Sequence, residues 1–392
     1  MNHRPAAFLL MILCIALTTG CWDREELTDR AFDLAASADL KKDGTYLTAA
    51  QFIIPARSEQ SSTGGVGGDK SFFIETGSGK SILESIQKAR QKLSRIITRG
   101  HRRNFYIGED LAKRGIQDML DTFSRDPGNR IRLDLWVVKG NTGLEALRVS
   151  YPLEKIPSVA SVKIHKAVGG TTGTSYLDFM MASSAEGSFP TLPAVDLVQG
   201  ASPQQTIRFY GRAIFNRDFR LVGYLDFVEG AYRQWMLNGI SYFDLAEDIP
   251  EAGGSVGVIV TKFASKLRSS VSKANKVKME ITLTGVGHVG ENNTNLDLSQ
   301  QRNLQFVRDK INKKTSEHVV EMVKKVQKQF GTDVLGFNQA LNRQHPKEWH
   351  RLKGQWDTIF PDIEVTVNVN VNLKHIGLVG PSLQLKESEI KK

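Results

Sequence analysis

The chain has 392 residues, 40% of them hydrophobic, 24% charged and 8% aromatic, with a formal net charge of +10. That apolar content excludes an intrinsically disordered chain, and the length points to two or three domains rather than one core. The positive balance favours anionic partners: acidic proteins, lipid headgroups or nucleic acid.

Residues 6–17 read AAFLLMILCIAL, twelve apolar residues behind Arg4. A membrane-spanning helix needs about 20, whereas this shorter run has the length of a secretory signal core. Thr18-Thr19-Gly20-Cys21 follows. Small residues directly before a cysteine resemble the lipobox of bacterial lipoproteins. In that class the thiol receives a diacylglyceryl group and the cysteine becomes the first residue of the mature chain. The usual box has Leu at the place of Thr18; here Leu17 stands one step earlier. The alternatives are an ordinary secretory leader cleaved nearby and an uncleaved anchor. The chain holds two cysteines, Cys14 and Cys21, and Cys14 lies within the apolar core of the leader. A mature chain would keep Cys21 alone, so packing rather than a disulfide must hold the body together. Export also removes nucleic acid from the expected partners.

The body opens with strand-like segments at Ala31–Leu40 and Thr45–Ile54, joined by a turn at Lys42-Asp43-Gly44. The stretch 58–69, SEQSSTGGVGGD, has the composition of a flexible loop. Ile82, Ile86, Ala89, Leu93 and Ile96 predict one helix over Ser81–Thr98, stopped by Gly100. A strand at Phe105–Ile107, a helix over Glu109–Phe123, and a half-buried strand with Ile131, Leu133, Leu135 and Val137 on one face come next. Between Tyr151 and Pro203 the pattern loosens, Gly169–Gly173 reads as flexible, and a boundary is expected near Gly200.

Ala213–Phe215, a turn at Asn216-Arg217-Asp218 and Leu221–Leu225 predict a β-hairpin. Val256–Phe263 and Val277–Leu283 are further strands, and Leu296–Phe330 carries a long amphipathic helix. Ile363, Val365, Val367, Val369, Val371 and Leu373 alternate with Glu364, Thr366, Asn368, Asn370, Asn372 and Lys374. This predicts a long strand of antiparallel type with one buried face. The expected fold class is α+β, multi-domain, with mixed and antiparallel sheets packed with helices. Its divisions are a leader at 1–20, an α/β domain at 22–200 and an α+β region at 205–392, which divides again near 255–280.

No motif implies catalysis. Gly77-Ser78-Gly79-Lys80-Ser81 looks like a phosphate loop, but the required earlier glycine is Ile74. It reads instead as a turn into a helix, with Ser78 or Ser81 as N-cap. The eight histidines show no zinc spacing, and His345 and His350 lack further ligands nearby. SxxK occurs at Ser85–Lys88 and Ser270–Lys273 without the companion motifs of that enzyme class. Residues 261–278 hold six Lys or Arg and no acid. Such a patch is either a solvated face or a surface for anionic headgroups.

Several segments together resemble the Ger(x)C-type spore germination lipoproteins. They are Cys21-Trp22-Asp23-Arg24-Glu25-Glu26-Leu27, Ile107-Gly108-Glu109-Asp110-Leu111-Ala112-Lys113-Arg114-Gly115, and Arg125-Asp126 with its strand. Gly211-Arg212-Ala213-Ile214-Phe215 with Leu221-Val222-Gly223 adds to them. The most specific match is Asp333-Val334-Leu335-Gly336-Phe337, then Pro346, Trp349, Trp356 and Phe360-Pro361 before the alternating strand. The resemblance implies the C subunit of a nutrient germinant receptor. It would sit on the outer face of the inner spore membrane, held by lipid on Cys21, beside membrane-embedded A and B subunits. It implies no enzyme, cofactor or metal, so Cys21 is the single functional residue it assigns. The alternatives are a solute-binding lipoprotein of a transporter, which predicts two similar lobes around a cleft, and an extracytoplasmic hydrolase, for which no convergent catalytic group is visible.

Overall fold

The computed structural model describes residues 26–54, 71–149, 157–200 and 205–375, with residues 151, 153, 154, 382 and 386–391 besides. Two unlike sheets organise them. The first has strands β1 (Arg30–Leu40), β2 (Tyr46–Ile53), β3 (Phe72–Gly79), β4 (Ile96–Thr98), β5 (Asn104–Gly108), β6 (Asp134–Lys139), β7 (Thr191–Gln199), β8 (Gln205–Phe215) and β9 (Leu221–Leu225). Their order is β3-β2-β1-β5-β6-β7-β8-β9, with β4 also on β1. The centre, β1-β5-β6-β7, is parallel, and the wings β2-β3 and β8-β9 are antiparallel.

Helices cover both faces of this sheet. On one lie α1 (Ile82–Arg90), α2 (Glu109–Arg114), α3 (Gln117–Arg125) and α6 (Tyr176–Ser184); on the other lie α4 (Gly143–Arg148) and α5 (Ala160–Ala167). A parallel strand needs a crossover, and its helix covers the sheet, so central strands are apolar on both sides. Leu135, Trp136, Val137 and Val138 are accordingly all buried, whereas Ile131 lies outside the strand and is exposed. The one-faced strand expected at 131–138 is therefore corrected.

The helix expected over Ser81–Thr98 ends at Arg90. Lys92 donates to the carbonyl of Thr76 at 2.7 Å as the chain turns back. Ile96–Thr98 then pair in parallel with Arg30–Phe32. The apolar spacing continues in sequence, but the edge of β1 offers backbone partners that a longer helix would leave unmade. The helix expected over 109–123 divides into α2 and α3 at Gly115, whose φ of +122° suits only glycine among ordinary residues. Gly169–Gly173 is held rather than loose: Thr171 N donates to Gly239 O, and Ser241 N to Gly169 O. The glycine-rich stretch at 58–69 lies outside the described residues.

The second sheet has order β10-β11-β12-β13, from β10 (Phe243–Ile249), β11 (Gly254–Val271), β12 (Val277–Asn292) and β13 (Glu364–His375). Its inner face packs on α7 (Phe227–Met236) and α8 (Gln301–Lys325), and α8 runs on through one π turn to Phe330. After α8 the chain forms α9 (Phe337–Gln344), α10 (Pro346–Leu352) and α11 (Trp356–Ile359) before entering β13. The alternation in β13 is as expected, with Val367 and Val371 buried and Asn368, Asn370 and Asn372 exposed. Its direction is not: β13 runs parallel to β12. Alternation reports that helices cover one face only; it does not report strand direction. The hairpin of β8 and β9 forms as expected.

Candidate functional site

Cys21, the one residue assigned a role by sequence, lies outside the described residues, which begin at Glu26. The remaining motifs resolve into architecture. Ser81 caps α1, its Oγ accepting from Glu84 N at 3.1 Å. A Cβ on Gly77 would stand 2.0 Å from the carbonyl oxygen of Ser85, so this glycine lets strand and helix touch. Ser85 is buried and donates to Ile82 O at 2.7 Å. His345 Nε2 lies 2.9 Å from Ser269 O. Among the described residues no group of three or more His, Cys, Asp or Glu is placed to hold a metal ion. The basic residues of 261–278 line the exposed face and tip of the β11–β12 hairpin, where Lys278 pairs with Glu364 at 2.8 Å.

The motifs that carry the family resemblance are joints. Asp333 is buried between the two sheets. Its Oδ1 accepts from the N–H groups of Leu335, Gly336 and Phe337, and its Oδ2 from Asn338 N and the Trp356 indole. The carboxylate thus satisfies the orphan donors at the start of α9 and locks them to α11. Phe189 N donates to Asp333 O, and Asn338 Nδ2 to Glu186 O at 2.7 Å, so the same joint grips the segment before β7. Burial pushes the Asp333 carboxyl up to about 6, against the pull of its donors.

A second joint sits at the carboxyl ends of β1, β5 and β6. Asp39 accepts from Gly143 N at 2.6 Å and Leu144 N at 3.0 Å, at the start of α4. Burial raises its carboxyl to about 6 as well. A Cβ on Gly108 would meet Asp39 Oδ1 at 2.1 Å, which explains the glycine in Ile107-Gly108-Glu109. Glu109 accepts from the Tyr224 hydroxyl at 2.9 Å, tying this joint to β9. A cleft of about 280 Å³ opens beside it, lined by Asp39, Glu109, Asp110, Thr142 and Glu145. In open α/β sheets anions bind at this crest. Here the chain's own carboxylate occupies the helix end, and the surrounding acids repel an anionic ligand. Sequence reasoning missed Asp39; an acid closing the apolar run Ala31–Leu40 was its only signal.

The third joint is Gly211-Arg212. A Cβ on Gly211 would lie 2.3 Å from Leu225 O. The Arg212 guanidinium is buried and donates to Thr191 Oγ1 at 2.7 Å and Gly173 O at 2.8 Å. Burial, with Arg233 nearby, drives its pKa down. Each of these joints links segments far apart in the chain, so together they act as a signature of one fold.

Two family models match the chain in order. "Spore germination protein N-terminal domain" matches residues 23–197, and "Spore germination B3/GerAC like, C-terminal" matches residues 210–377. The chain belongs to the Ger(x)C family of spore germination proteins. Among its relatives in Bacillus subtilis (strain 168), the putative spore germination protein YfkR is 27% identical, over 95% of this chain and 96% of its own. Spore germination protein KC is 25% identical, over 94% of this chain and 95% of its own. The crystal structure of the GerBC protein aligns with a TM-score of 0.55 at 20% identity, covering 90% of this chain and 99% of that one. It shares the multi-domain α+β fold.

Proposed function

We propose that this Ger(x)C protein is the C subunit of a nutrient germinant receptor, anchored by lipid on Cys21 to the outer face of the inner spore membrane. It acts there without catalysis, by binding membrane-embedded A and B subunits. The observation that carries this reading is the match of both family models, in order, over residues 23–377. Relatives named as spore germination proteins over nearly their whole length support it. Among the described residues no helix is long and apolar enough to cross a membrane, which fits attachment through the N-terminus. A lipid anchor confines the body beside its partners and raises their effective concentration without any new contact. The solute-binding alternative predicts two similar lobes. The two sheets are instead unlike, one covered on both faces and the other on one.

The test is germination itself. Spores lacking this protein, in a background without paralogous receptors, should fail to lose optical density with nutrients yet respond to calcium dipicolinate. Cys21→Ala should lose fatty-acid labelling and leave the membrane fraction. Normal nutrient germination in the stripped background refutes the receptor reading; fatty-acid label retained on the Cys21→Ala protein refutes the anchor.

A further inference from the structure

Leu27 lies six residues along the chain from Cys21, a reach of about 20 Å fully extended. An anchored body must therefore hold the end of the first sheet where β1 begins close to the membrane. The elements gathered at that end are fixed by backbone contacts. Ile96–Thr98 flank Arg30–Phe32. Arg103 N donates to Leu34 O at 3.0 Å, and Asp134 N to Arg103 O at 2.8 Å. Arg99 pairs with Asp126, and Arg102 Nη1 reaches Asn129 Oδ1 at 3.4 Å, so the turn at 126–132 lies against the loop at 99–103.

This end is basic and partly apolar on its surface. Arg95, His101, Arg103, Arg130 and Arg132 are exposed, against the exposed acids Glu26 and Asp29 beside Leu27, and among the described residues none of these four arginines makes an ion pair. Three large apolar side chains share the end: Leu27 is 75% exposed, Ile96 56% and Ile131 62%. The opposite end, beyond the 11-residue β1, carries the acids Asp39, Glu109, Asp110 and Glu145 together with the exposed bases Lys41, Lys42, Lys113 and Arg114, of which Lys113 pairs with Glu109.

We propose that this basic end is a membrane-facing surface that lies on anionic phospholipid headgroups, with Leu27, Ile96 and Ile131 entering the interface. The orientation rests on Cys21 being the anchor; the charge and the exposed apolar side chains do not. Guanidinium groups bind phosphate oxygens in a bidentate way. Each arginine close to an anionic surface favours the bound state by a factor of roughly five.

The test uses the full chain, reconstituted through its anchor into vesicles of phosphatidylglycerol with phosphatidylcholine, or of phosphatidylcholine alone. Ile131→Cys and Asp110→Cys, made singly and labelled with a polarity-sensitive dye, report on the two ends. In anionic vesicles the dye at 131 should be shielded several-fold from a water-soluble quencher, and the dye at 110 should not. Shielding should weaken in about 1 M salt, where screening shortens to about 3 Å. It should also weaken in Arg103→Glu/Arg130→Glu/Arg132→Glu at unchanged melting temperature, or in the glutamine counterpart if that variant unfolds. Equal quenching at both positions overturns the proposal. Shielding seen in native spore membranes but not in vesicles assigns the face to a protein and overturns it too. If mass spectrometry finds Cys21 unmodified, the anchor reading falls by itself. Co-sedimentation of the unmodified chain with anionic but not neutral vesicles then supports the surface, and no co-sedimentation overturns it.

Discussion

Asp333 gathers five donors, four from the backbone at the start of α9 and one from the Trp356 indole of α11. Asp333→Asn turns an amide N–H₂ toward buried N–H donors and should cost about 2–4 kcal/mol at neutral pH. Thermal melting of the purified variant checks this, and an unchanged melting temperature would contradict the joint described above. The same carboxyl should leave a pH signature. Asp39 and Asp333 both stand at about 6 when folded, against an ordinary 3.8. Between those values the folded chain holds more protons than the unfolded one. Stability should therefore fall as pH rises from about 4 to about 6 and be flat above, as far as these two groups decide it. The difference in melting temperature between the parent and Asp333→Asn should shrink across that window as pH rises, because the parent alone loses the Asp333 contribution.

Strand β13 is an edge strand, and its free side is covered by α8 rather than by another strand. Asn312 Oδ1 accepts from Val371 N at 2.8 Å, and the Ser316 hydroxyl donates to Val367 O at 2.8 Å. These side chains occupy backbone groups that would otherwise template pairing with a second chain. The faces of β13 differ as sharply as its edges. Val371 is fully buried, while Asn370 is exposed on the uncovered face. Val371→Asp places an unpaired charge in the core and should cost about 3 kcal/mol or more; Asn370→Asp should cost under about 0.5 kcal/mol. Chemical denaturation of the two purified variants decides the point. Equal midpoints would mean that the faces are assigned wrongly.

At the scale of the molecule the two sheets are bound by more than a linker. β8 and β9 complete the first sheet and lead directly into α7, which packs on the second. Arg217 pairs with Asp357 at 2.8 Å, Lys353 with Glu186 at 2.7 Å, and Gly223 lies under the ring of Phe330. The chain should therefore unfold in one calorimetric transition. A chain cut after Gly200 loses Ala213, Ile214, Phe215 and Leu221 from its core and leaves β7 an open edge without its partner β8. Such a fragment should aggregate rather than elute as a folded monomer in size exclusion. Two separate endotherms, or a monomeric fragment with native near-ultraviolet dichroism, would show that the sheets are independent.

Local patterns were legible in the sequence wherever one physical cause acts within a few residues. The alternation of β13 needs only a covered and an uncovered face. The stripe of α8 needs one apolar side, and the hairpin at Asn216 needs a turn between two strands. The order of the family-like segments, from Gly108-Glu109 to Asp333 and Trp356, likewise sufficed to name the family before any coordinate. Tertiary structure decided what depends on a distant partner. The direction of β13 follows from the crossover through α8. The end of α1 follows from an edge of β1 more than fifty residues away in sequence. The burial of both faces of β6 follows from helices that arrive later in the chain. Asp39 and Asp333 could not be assigned from sequence for the same reason. Each is a polar residue whose cost of burial is met by N–H groups that only the folded chain brings within reach.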